Sequence, residues 1–401
     1  MGQHFNDTQS SLHRTLYFQQ MHTEKNTIVD FKNISIFNGL NSLRFIAALF
    51  VLMHHSETIK RKNGLNNLEW LGLFRNGGNA VTFFFVLSGF LITYLLLKEQ
   101  DNTGEIKIKT FYLKRILRIW PLYFLLVIIG TIGLPFAFSL LHINYEMPYN
   151  LTDTWYYFVF FLPCLVTFYF GHHFLEPLWS IGVEEVFYLI WAPLFKFNKN
   201  KILNLLLSVI FIKILLNILG LLVIQNELFN YMVNIFKFEA MAIGGLGAYF
   251  LYTKGNLLNR NFLFKIPIQI ILFVTLILYL IFHSNIDNLF WNTIFKSPIL
   301  SSIIVEFLFL YVIICISSTD SSIIKLKNKY LGYLGEISYG IYMYHMLVVF
   351  GAIHFLKKYL IQMNSPWDHV LYYIIVLVFT IILAAISKHF FENLFLKYKP
   401  K

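Results

Sequence analysis

The sequence contains little charge and almost no cysteine. Charged residues make up 13% of the 401 positions, about half the share of a typical soluble domain, which argues against a solvated globular surface. The two cysteines, Cys164 and Cys315, lie in apolar runs without the spacing of metal ligands, so neither a disulfide framework nor a metal site is predicted. A signal-peptide pattern, internal repeats, glycine-rich phosphate loops and low-complexity tracts are also missing from the sequence.

Long apolar runs take the place of charge. Hydrophobic residues make up 57% of the chain and aromatic residues 18%. Runs such as FFFVLSGFLITYLLL and YYIIVLVFTIILAAI approach the roughly 20 apolar residues that span a bilayer as a helix, and similar runs recur from residue 43 to residue 396. The sequence therefore predicts an all-α, polytopic transmembrane helical bundle over 39–396. A polar N-terminal cytoplasmic tail, 1–38, is expected before it and a basic C-terminal tail, 397–401, after it.

The distribution of Lys and Arg predicts how many runs cross the membrane. Of eleven apolar runs, 152–170 is the weakest, because Pro163 interrupts it and aromatic residues dominate it. If this run does not cross and the N-terminus is cytoplasmic, the cytoplasmic segments hold 22 Lys and Arg and the extracytoplasmic loops 7; if it crosses, the numbers are 13 and 16. Since Lys and Arg concentrate in cytoplasmic loops, about ten spans are predicted, with one interfacial or re-entrant aromatic segment. These loops explain the net charge of +11 through the anionic inner leaflet, without nucleic acid.

The first span, LNSLRFIAALFVLMHHSE, carries ionisable residues although these are costly in a bilayer. Arg44 and His55 are eleven residues apart, about three helical turns, so they share one face with His55 about 16 Å deeper. His54 points away from that face. One interpretation is that Arg44 reaches lipid phosphate and the histidines only end the span. The shared face favours a functional role for Arg44 and His55.

Other spans also contain polar side chains. Arg115 and Arg118 are one turn apart at the cytoplasmic start of the third span, which suits phosphate binding or ordinary topology anchoring. Glu184 and Glu185 are adjacent in an apolar helix and need partners or protonation, so a structural salt bridge to Lys213 or Lys237 is the alternative to a functional role. Further polar or small residues singled out in the spans are Ser88, Gly89, Lys237, Glu239, Ser338, Tyr339 and His345.

These stretches together resemble, in order and over residues 39–395, the acyltransferase-3 family of bacterial integral-membrane O-acyltransferases. The similar blocks are LNSLRFIAALFVLMHH (Arg44, His55), AVTFFFVLSGFLI (Ser88, Gly89, Phe90), KRILRIWPLY (Arg115, Arg118), PLWSIGVEEVFYLIW (Trp179, Ser180, Glu184, Glu185) and LGEISYGIYMYH (Ser338, Tyr339, His345). The chain departs from the family where Thr82 replaces a common Asp, where Lys237-Phe238-Glu239 replaces Arg…Asp, and in FFENLF, which lacks a Pro. The first two departures bear on the acceptor site. Some members carry a further soluble esterase-like domain, and a sequence ending at Lys401 predicts none.

The resemblance implies transfer of an acyl group, by default acetyl, from cytoplasmic acyl-CoA to a hydroxyl of an extracytoplasmic glycan or lipid-linked sugar. The enzyme would be a multi-pass protein of the bacterial cytoplasmic membrane, with no bound cofactor and no metal. The residues implied in catalysis are His55, Arg44 and Glu184, with His55 as general base or acyl carrier. Those implied in donor binding are Arg115 and Arg118. Residues expected to line the pocket or to pack around it are Ser88, Gly89, Phe90, Trp179, Ser180, Glu185, Lys237, Glu239, Ser338, Tyr339 and His345.

A transporter or flippase for a polar or sugar substrate is the alternative. In that case His55, Glu184, Lys237 and His345 would form a proton or ligand path. Paired half-repeats are missing from the sequence, and the polar residues cluster in the first five spans. A purely structural anchor would leave the intramembrane charges unexplained. The enzyme is therefore the favoured prediction.

Overall fold

The computed structural model describes residues 31–34, 37, 39–142, 147–283, 298–318, 322–356 and 364–400. The predicted cytoplasmic tail, 1–38, lies almost entirely outside the described residues. Within them the chain is helical and contains no strand. This is expected of a chain that meets lipid, since an α-helix satisfies every backbone polar group within its own segment.

The described helices are numbered here in chain order. They are α1 Leu40–Lys62, α2 Gly77–Thr103, α3 Ile108–Leu140, α4 Leu151–Val159, α5 Pro163–Phe170, α6 Leu178–Phe197, α7 Ile202–Ile224, α8 Glu227–Ile235, α9 Phe238–Arg260, α10 Ile266–Phe282, α11 Pro298–Ser318, α12 Lys329–Glu336, α13 Ser338–Leu356 and α14 Pro366–Leu396. Ten of them coincide with the ten predicted spans, although the predicted span 331–356 also contains most of α12. These are α1, α2, α3, α6, α7, α9, α10, α11, α13 and α14.

The polytopic helical bundle is confirmed. Seven of the described helices are long and apolar enough to cross a membrane: α2, α3, α6, α7, α11, α13 and α14. Both α1 and α9 have 23 residues and are long enough, but their polar residues lower their hydropathy. Helix α10 is apolar and has 17 residues. Crossing by these three helices stays a prediction.

The aromatic run 152–170 forms two short helices. Helices α4 and α5 have nine and eight residues, far fewer than the roughly 20 that a span needs. The break falls just before Pro163, where Phe161 has a positive φ of 58°. The hydroxyl of Tyr123 in α3 donates to the carbonyl of Phe158, 3.0 Å away, and the ring centroids of Tyr123 and Phe161 are 4.6 Å apart. The broken run thus lies against α3, in agreement with the predicted non-crossing segment.

The loop between α5 and α6 is held by a neutral histidine. Burial lowers the pKa of His173 to about 3, so its ring stays uncharged. Its Nδ1 accepts from the backbone N–H of Leu175, and its Nε2 lies 3.2 Å from the hydroxyl of Thr167. These bonds fix the position from which α6 begins.

The centre of the bundle is the contact between α2 and α9. In α2, 78% of the most apolar window is buried, whereas in the peripheral α7 the share is 11%. A Cβ at Gly89 would lie 1.9 Å from the carbonyl oxygen of Met241, and one at Gly244 would lie 1.9 Å from that of Val86. Small residues let membrane helices approach this closely. Gly89 is thus a packing residue, and α2 and α9 form the fixed scaffold for the side chains around them.

The predicted run 331–356 is divided into two helices. Helix α12 ends at Glu336 and α13 begins at Ser338. A Cβ at Gly335 would lie 1.9 Å from the carbonyl oxygen of Asn41, so the end of α12 packs closely against the beginning of α1. This contact holds α13 beside α1 and sets the height of His345, two turns into α13.

Candidate active site

Two histidines from opposite ends of the sequence meet between α1 and α13. The Nε2 atom of His345 lies 3.2 Å from Nδ1 of His55, and the ring centroids are 5.0 Å apart. His345 is buried, with 1% of its surface exposed, and His55 is half-buried. The sequence singled out both residues but did not predict that they touch.

The backbone fixes the tautomers of this histidine pair. Nδ1 of His55 lies 3.0 Å from the carbonyl oxygen of Val51, and Nδ1 of His345 is hydrogen-bonded to the carbonyl oxygen of Tyr342. A carbonyl oxygen can only accept, so each Nδ1 must carry the proton when its ring is neutral. Nε2 of His345 then accepts from His55. Nε2 of His55 keeps its lone pair and has no hydrogen-bond partner among the described residues, as a general base or nucleophile requires.

His54 occupies a different environment from His55. Its ring packs against the start of α2, where a Cβ at Gly77 would lie 2.4 Å from Cδ2 of His54. The centroids of the two adjacent histidine rings are 5.3 Å apart, and the ring planes make an angle of 69°. His54 therefore fills the space between α1 and α2, whereas His55 faces His345.

Three arginines line one pocket on the side where α1 and α3 begin. We call it the arginine pocket, and it is lined by Arg44, Arg115, Arg118, Ser88 and Glu184 among others. The pocket encloses about 820 Å³ of space not filled by protein atoms, part of it open to the outside. Among the described residues, no ion pair shorter than 4 Å involves any of the three guanidinium groups. Such unpaired guanidinium groups suit the bidentate binding of phosphate.

The arginines are positioned by local contacts. Nη1 of Arg44 donates to Oδ1 of Asn41, 2.8 Å away and one turn earlier in α1. The guanidinium of Arg115 stacks over the rings of Phe111 and Tyr188, 5.5 and 5.3 Å from their centroids. Arg44 thus lies with Arg115 in the pocket, while His55, further along the same helix face, lies with His345.

Glu184 belongs to the arginine pocket. In the described part of the chain it forms no hydrogen bond or ion pair with His55. Its Oε1 accepts from Ser88, 2.8 Å away, and its Oε2 accepts from Tyr188, 3.0 Å away. Neither lysine considered as its structural partner pairs with it, because Lys213 pairs with another carboxylate and Lys237 donates to two hydroxyls. The side chain that orients His55 is His345. A role of Glu184 in catalysis stays a prediction and would act from the pocket.

Tyr342 connects the arginine pocket to the histidine pair. Its backbone carbonyl accepts from His345, and its side chain lines the pocket. The Tyr342 hydroxyl donates to the carbonyl of Pro177 at 2.9 Å, and the Ser180 hydroxyl lies 2.6 Å from it. Ser180 thus holds the tyrosine at the start of α6. Neither the spacing nor the matched blocks predicted Tyr342, although it stands inside LGEISYGIYMYH.

Several of the other predicted residues mainly hold helices together. Glu185 accepts from the indole of Trp120 at 2.8 Å, and Trp179 packs edge-on against Phe85, 6.0 Å between ring centroids. Phe90 is fully buried in the core. Ser338 donates to the carbonyl of Gly335 at 2.7 Å, and Tyr339 to that of Ile119 at 2.9 Å. The side chains of Ser338 and Tyr339 also line the arginine pocket.

Lys237 and Glu239 lie outside the arginine pocket. They line a second cavity between α2, α7, α9, α10 and α11. Glu239 forms an ion pair of 3.0 Å with Lys213, and Lys237 donates to Thr82 at 3.0 Å and to Ser302 at 3.4 Å. The structure thus separates these two residues from the arginines.

A buried charge network at the far end of α1 was not predicted. Nζ of Lys60 lies 2.7 Å from Oε1 of Glu57, and both side chains are fully buried. Glu57 also accepts from the Tyr373 hydroxyl and from the backbone N–H of Leu68, and Lys60 lies 3.2 Å from Nδ1 of His369. Because these charges are paired, the network joins α1 to α14 rather than forming a reaction centre. The spacing of Glu57 and Lys60 was the available signal.

The comparisons with known proteins point in one direction. A family model described as "Acyltransferase domain" matches residues 37–389. A protein of Staphylococcus aureus (strain COL) named "Putative O-acetyltransferase" is 27% identical over 393 residues, 92% of this chain and 58% of that protein. The O-acetyltransferase OatA of Staphylococcus aureus (strain NCTC 8325 / PS 47) is 26% identical over 375 residues, 88% of this chain and 56% of OatA. The chain therefore spans little more than half the length of these relatives. No solved structure matches.

Proposed function

Since this chain belongs to the acyltransferase-3 family, we propose that it moves an acyl group from cytoplasmic acyl-CoA to a hydroxyl of an extracytoplasmic glycan or lipid-linked sugar. We propose acetyl as the acyl group, in keeping with the relatives named O-acetyltransferases. The protein would act in the bacterial cytoplasmic membrane with its N-terminus in the cytoplasm. The single observation that carries this proposal is Nε2 of His55, beside His345, which no described residue engages in a hydrogen bond.

The histidine pair supplies the base for the transfer. Nε2 of His55 takes the proton from the acceptor hydroxyl as its oxygen attacks the thioester carbonyl carbon. The new ester C–O bond forms, the C–S bond breaks, and the thiolate of coenzyme A leaves and receives the proton. His345 is a positioning residue, because its Nε2 accepts from Nδ1 of His55 and stabilises the charged ring, as the carboxylate does in a Ser-His-Asp triad. In this scheme His55 is not itself acylated.

The arginine pocket supplies the donor site. Arg44 and Arg115 lie near the beginnings of α1 and α3, which face the cytoplasm in the ten-span arrangement. The phosphates of coenzyme A would bind to the guanidinium groups, with the thioester directed towards Tyr342 and the histidine pair. Glu184, which also lines the pocket, limits the positive charge there and holds Ser88 and Tyr188. The family model and the relatives reported above are described as acyltransferases, so they give no support to the transporter alternative.

Donor binding gives a direct test of this assignment. Purified full-length protein should bind and consume labelled acetyl-CoA in the presence of envelope glycan, without any ion gradient. Replacing Arg115 and Arg118 together by Ala should weaken acetyl-CoA binding by about tenfold or more, because hydrogen bonds to charged groups are lost. Lys at both positions should rescue binding only in part, since the planar fork is absent. The matched control is Lys109→Ala, an exposed lysine in the first turn of α3.

Two outcomes would contradict the donor assignment. Unchanged acetyl-CoA affinity in the double Ala variant would reduce Arg115 and Arg118 to topology anchors. An acylated His55, trapped on the wild type with donor alone and transferred on adding glycan, would replace the general-base mechanism by a covalent one.

A further inference from the structure

A second polar cavity lies across α2 from the arginine pocket. Asn79 and Thr82 of α2 face this cavity, whereas Val81, Phe84 and Ser88 face the arginine pocket. We call it the lysine cavity, and its polar lining includes Lys213, Lys237, Glu239, Asn79, Asn217 and Asn234. It encloses about 990 Å³ of space not filled by protein atoms, part of it open to the outside.

The lysine cavity lies on the extracytoplasmic side in the ten-span arrangement. It is lined near the beginnings of α2, α9 and α11 by Thr82, Glu239 and Ser302, and near the ends of α7 and α10 by Asn217 and Tyr279. The first three helices would begin outside, and the last two would end outside. All five helices therefore place the cavity on the same side, where a glycan is available.

The charges in the cavity are unequally neutralised. Lys213 pairs with Glu239 at 3.0 Å and also donates to the backbone carbonyls of Val233 and Phe236. Within the part of the chain that the structure describes, Nζ of Lys237 is bonded to the hydroxyls of Thr82 and Ser302. Within the described residues no carboxylate lies within 4 Å of Lys237.

The nearest route from Lys237 to a carboxylate passes through a hydroxyl. Ser302 donates to Oε1 of the fully buried Glu306 at 2.7 Å, so it stands between the carboxylate and the ammonium group. An Asp at position 82 would supply a direct counterion on the other side. Thr82 offers only a hydroxyl. In this chain the ammonium group of Lys237 is thus available to a ligand.

The neutral lining suits a sugar. Asn79, Asn217 and Asn234 carry amide groups, which both donate and accept hydrogen bonds, as sugar hydroxyls do. Polar groups gathered among membrane helices are costly and mark ligand sites more often than packing. The amides, together with an ammonium group that is bonded to hydroxyls rather than to a carboxylate, match a sugar that also carries a negative charge.

We propose that the lysine cavity binds a saccharide bearing a carboxylate or a phosphate, with Lys237 as the ligand of that anion. The inference rests on the proposed function, in which a glycan is the acceptor, and it adds that this glycan is acidic. Gly77, against which His54 packs, and Thr82 are five residues apart in α2, about 8 Å of helical rise. The anion subsite and His54, the chain neighbour of His55, therefore both lie along the first half of α2.

The test compares an acidic saccharide with its uncharged derivative. Trigalacturonate should bind the purified full chain, and its methyl ester should bind at least about tenfold more weakly, since one charge-assisted contact is lost. Lys237→Met should remove this difference. Thr82→Asp, which gives Lys237 an internal counterion, should weaken binding of the acid but not of the ester. The exposed Lys109→Met is the matched control and should bind both probes as the wild type does.

Further measurements distinguish a carboxylate from a phosphate as the bound anion, and the lysine cavity from the arginine pocket as the binding site. A maltotriose phosphate binding more tightly than trigalacturonate would assign the anion as phosphate, and the reverse order would assign it as carboxylate. Both results support the site if the binding depends on Lys237 and persists in the double Ala variant of Arg115 and Arg118. Equal binding of acid and ester, no binding of either acid, or full binding in both Lys237→Met and Thr82→Asp would overturn the proposal.

The affinity for acetyl-CoA tests the proposed function separately from the anion site. Lys237→Met should keep its acetyl-CoA affinity, because the arginine pocket lies across α2. If the wild type neither binds nor consumes acetyl-CoA but still binds acidic saccharide through Lys237, the acyltransfer proposal fails and the anion site stands.

Discussion

At the scale of single residues, the proposed base catalysis depends on which nitrogen of His55 carries the proton. The carbonyl of Val51 and Nε2 of His345 both face Nδ1. Both act as acceptors towards it, so the neutral ring exposes Nε2 as the basic atom. Protonating Nε2 would abolish the base, and the rate of acyl transfer should therefore decline on the acid side.

The two adjacent histidines should be unequal. His55→Ala should lower the rate of acyl transfer by about 100-fold or more, the usual cost of a lost general base. His54→Ala should keep most of the activity, because His54 packs against the start of α2. The measurement is the turnover of acetyl-CoA by purified variants at equal protein concentration, after equal abundance in the membrane has been checked. An active His55→Ala enzyme, or an inactive but folded His54→Ala enzyme, would remove the assignment.

His345 should act on the rate more than on binding. His345→Ala leaves Nδ1 of His55 bonded to Val51 alone and removes the ring that stabilises the charged His55, so we expect kcat to fall more than about tenfold. KM for acetyl-CoA should change little. His345→Gln, which keeps an acceptor oxygen, should restore part of kcat. A parallel change in kcat and KM with no rescue by Gln would indicate a merely structural residue.

The sequence singled out candidate site residues but did not predict their neighbours. It singled out His55 and His345 by their cost in a bilayer, and Arg44 by its spacing from His55. It could not predict that His345 meets His55 or that Arg44 joins Arg115. Such contacts depend on how helices far apart in the chain pack and rotate, which no local spacing encodes.

At the scale of the helices, the lengths of the apolar runs and the position of a proline predicted most of the fold. Pro163 marked the break between α4 and α5, and the ten long runs became ten helices. The division between α12 and α13 was missed, because Gly335 serves there for contact with Asn41 of α1. Its cause is a tertiary contact rather than a local break in hydropathy.

Two glycines of α2 give a matched test of the central helix contact. A Cβ at Gly89 would lie 1.9 Å from the carbonyl of Met241, whereas one at Gly78 meets nothing within 4 Å. Gly89→Ala should destabilise the protein by about 1–3 kcal/mol, the usual cost of overpacking, and Gly78→Ala should leave stability nearly unchanged. Thermal unfolding of the purified variants in detergent compares them. Equal stability of the two variants would mean that α2 and α9 can separate without loss.

At the scale of the whole molecule, the direction of the reaction depends on topology. The charge bias of the loops predicts ten spans with α4 and α5 outside, so a reporter fused after Lys201 should be cytoplasmic and one after Tyr149 extracytoplasmic. An alkaline phosphatase and green fluorescent protein pair at each position makes the measurement. An extracytoplasmic fusion at Lys201 would reinstate an eleventh span and invert every later loop.

The central claim is that this membrane protein acylates an envelope glycan through His55. The most direct measurement is mass spectrometry of the envelope glycans from a deletion strain carrying either the wild-type protein or His55→Ala at equal abundance. The account predicts an acylated glycan in the parent and in the wild-type complement, its absence in the deletion strain, and no restoration by His55→Ala. Identical glycans in the parent and the deletion strain, or full restoration by His55→Ala, would contradict it.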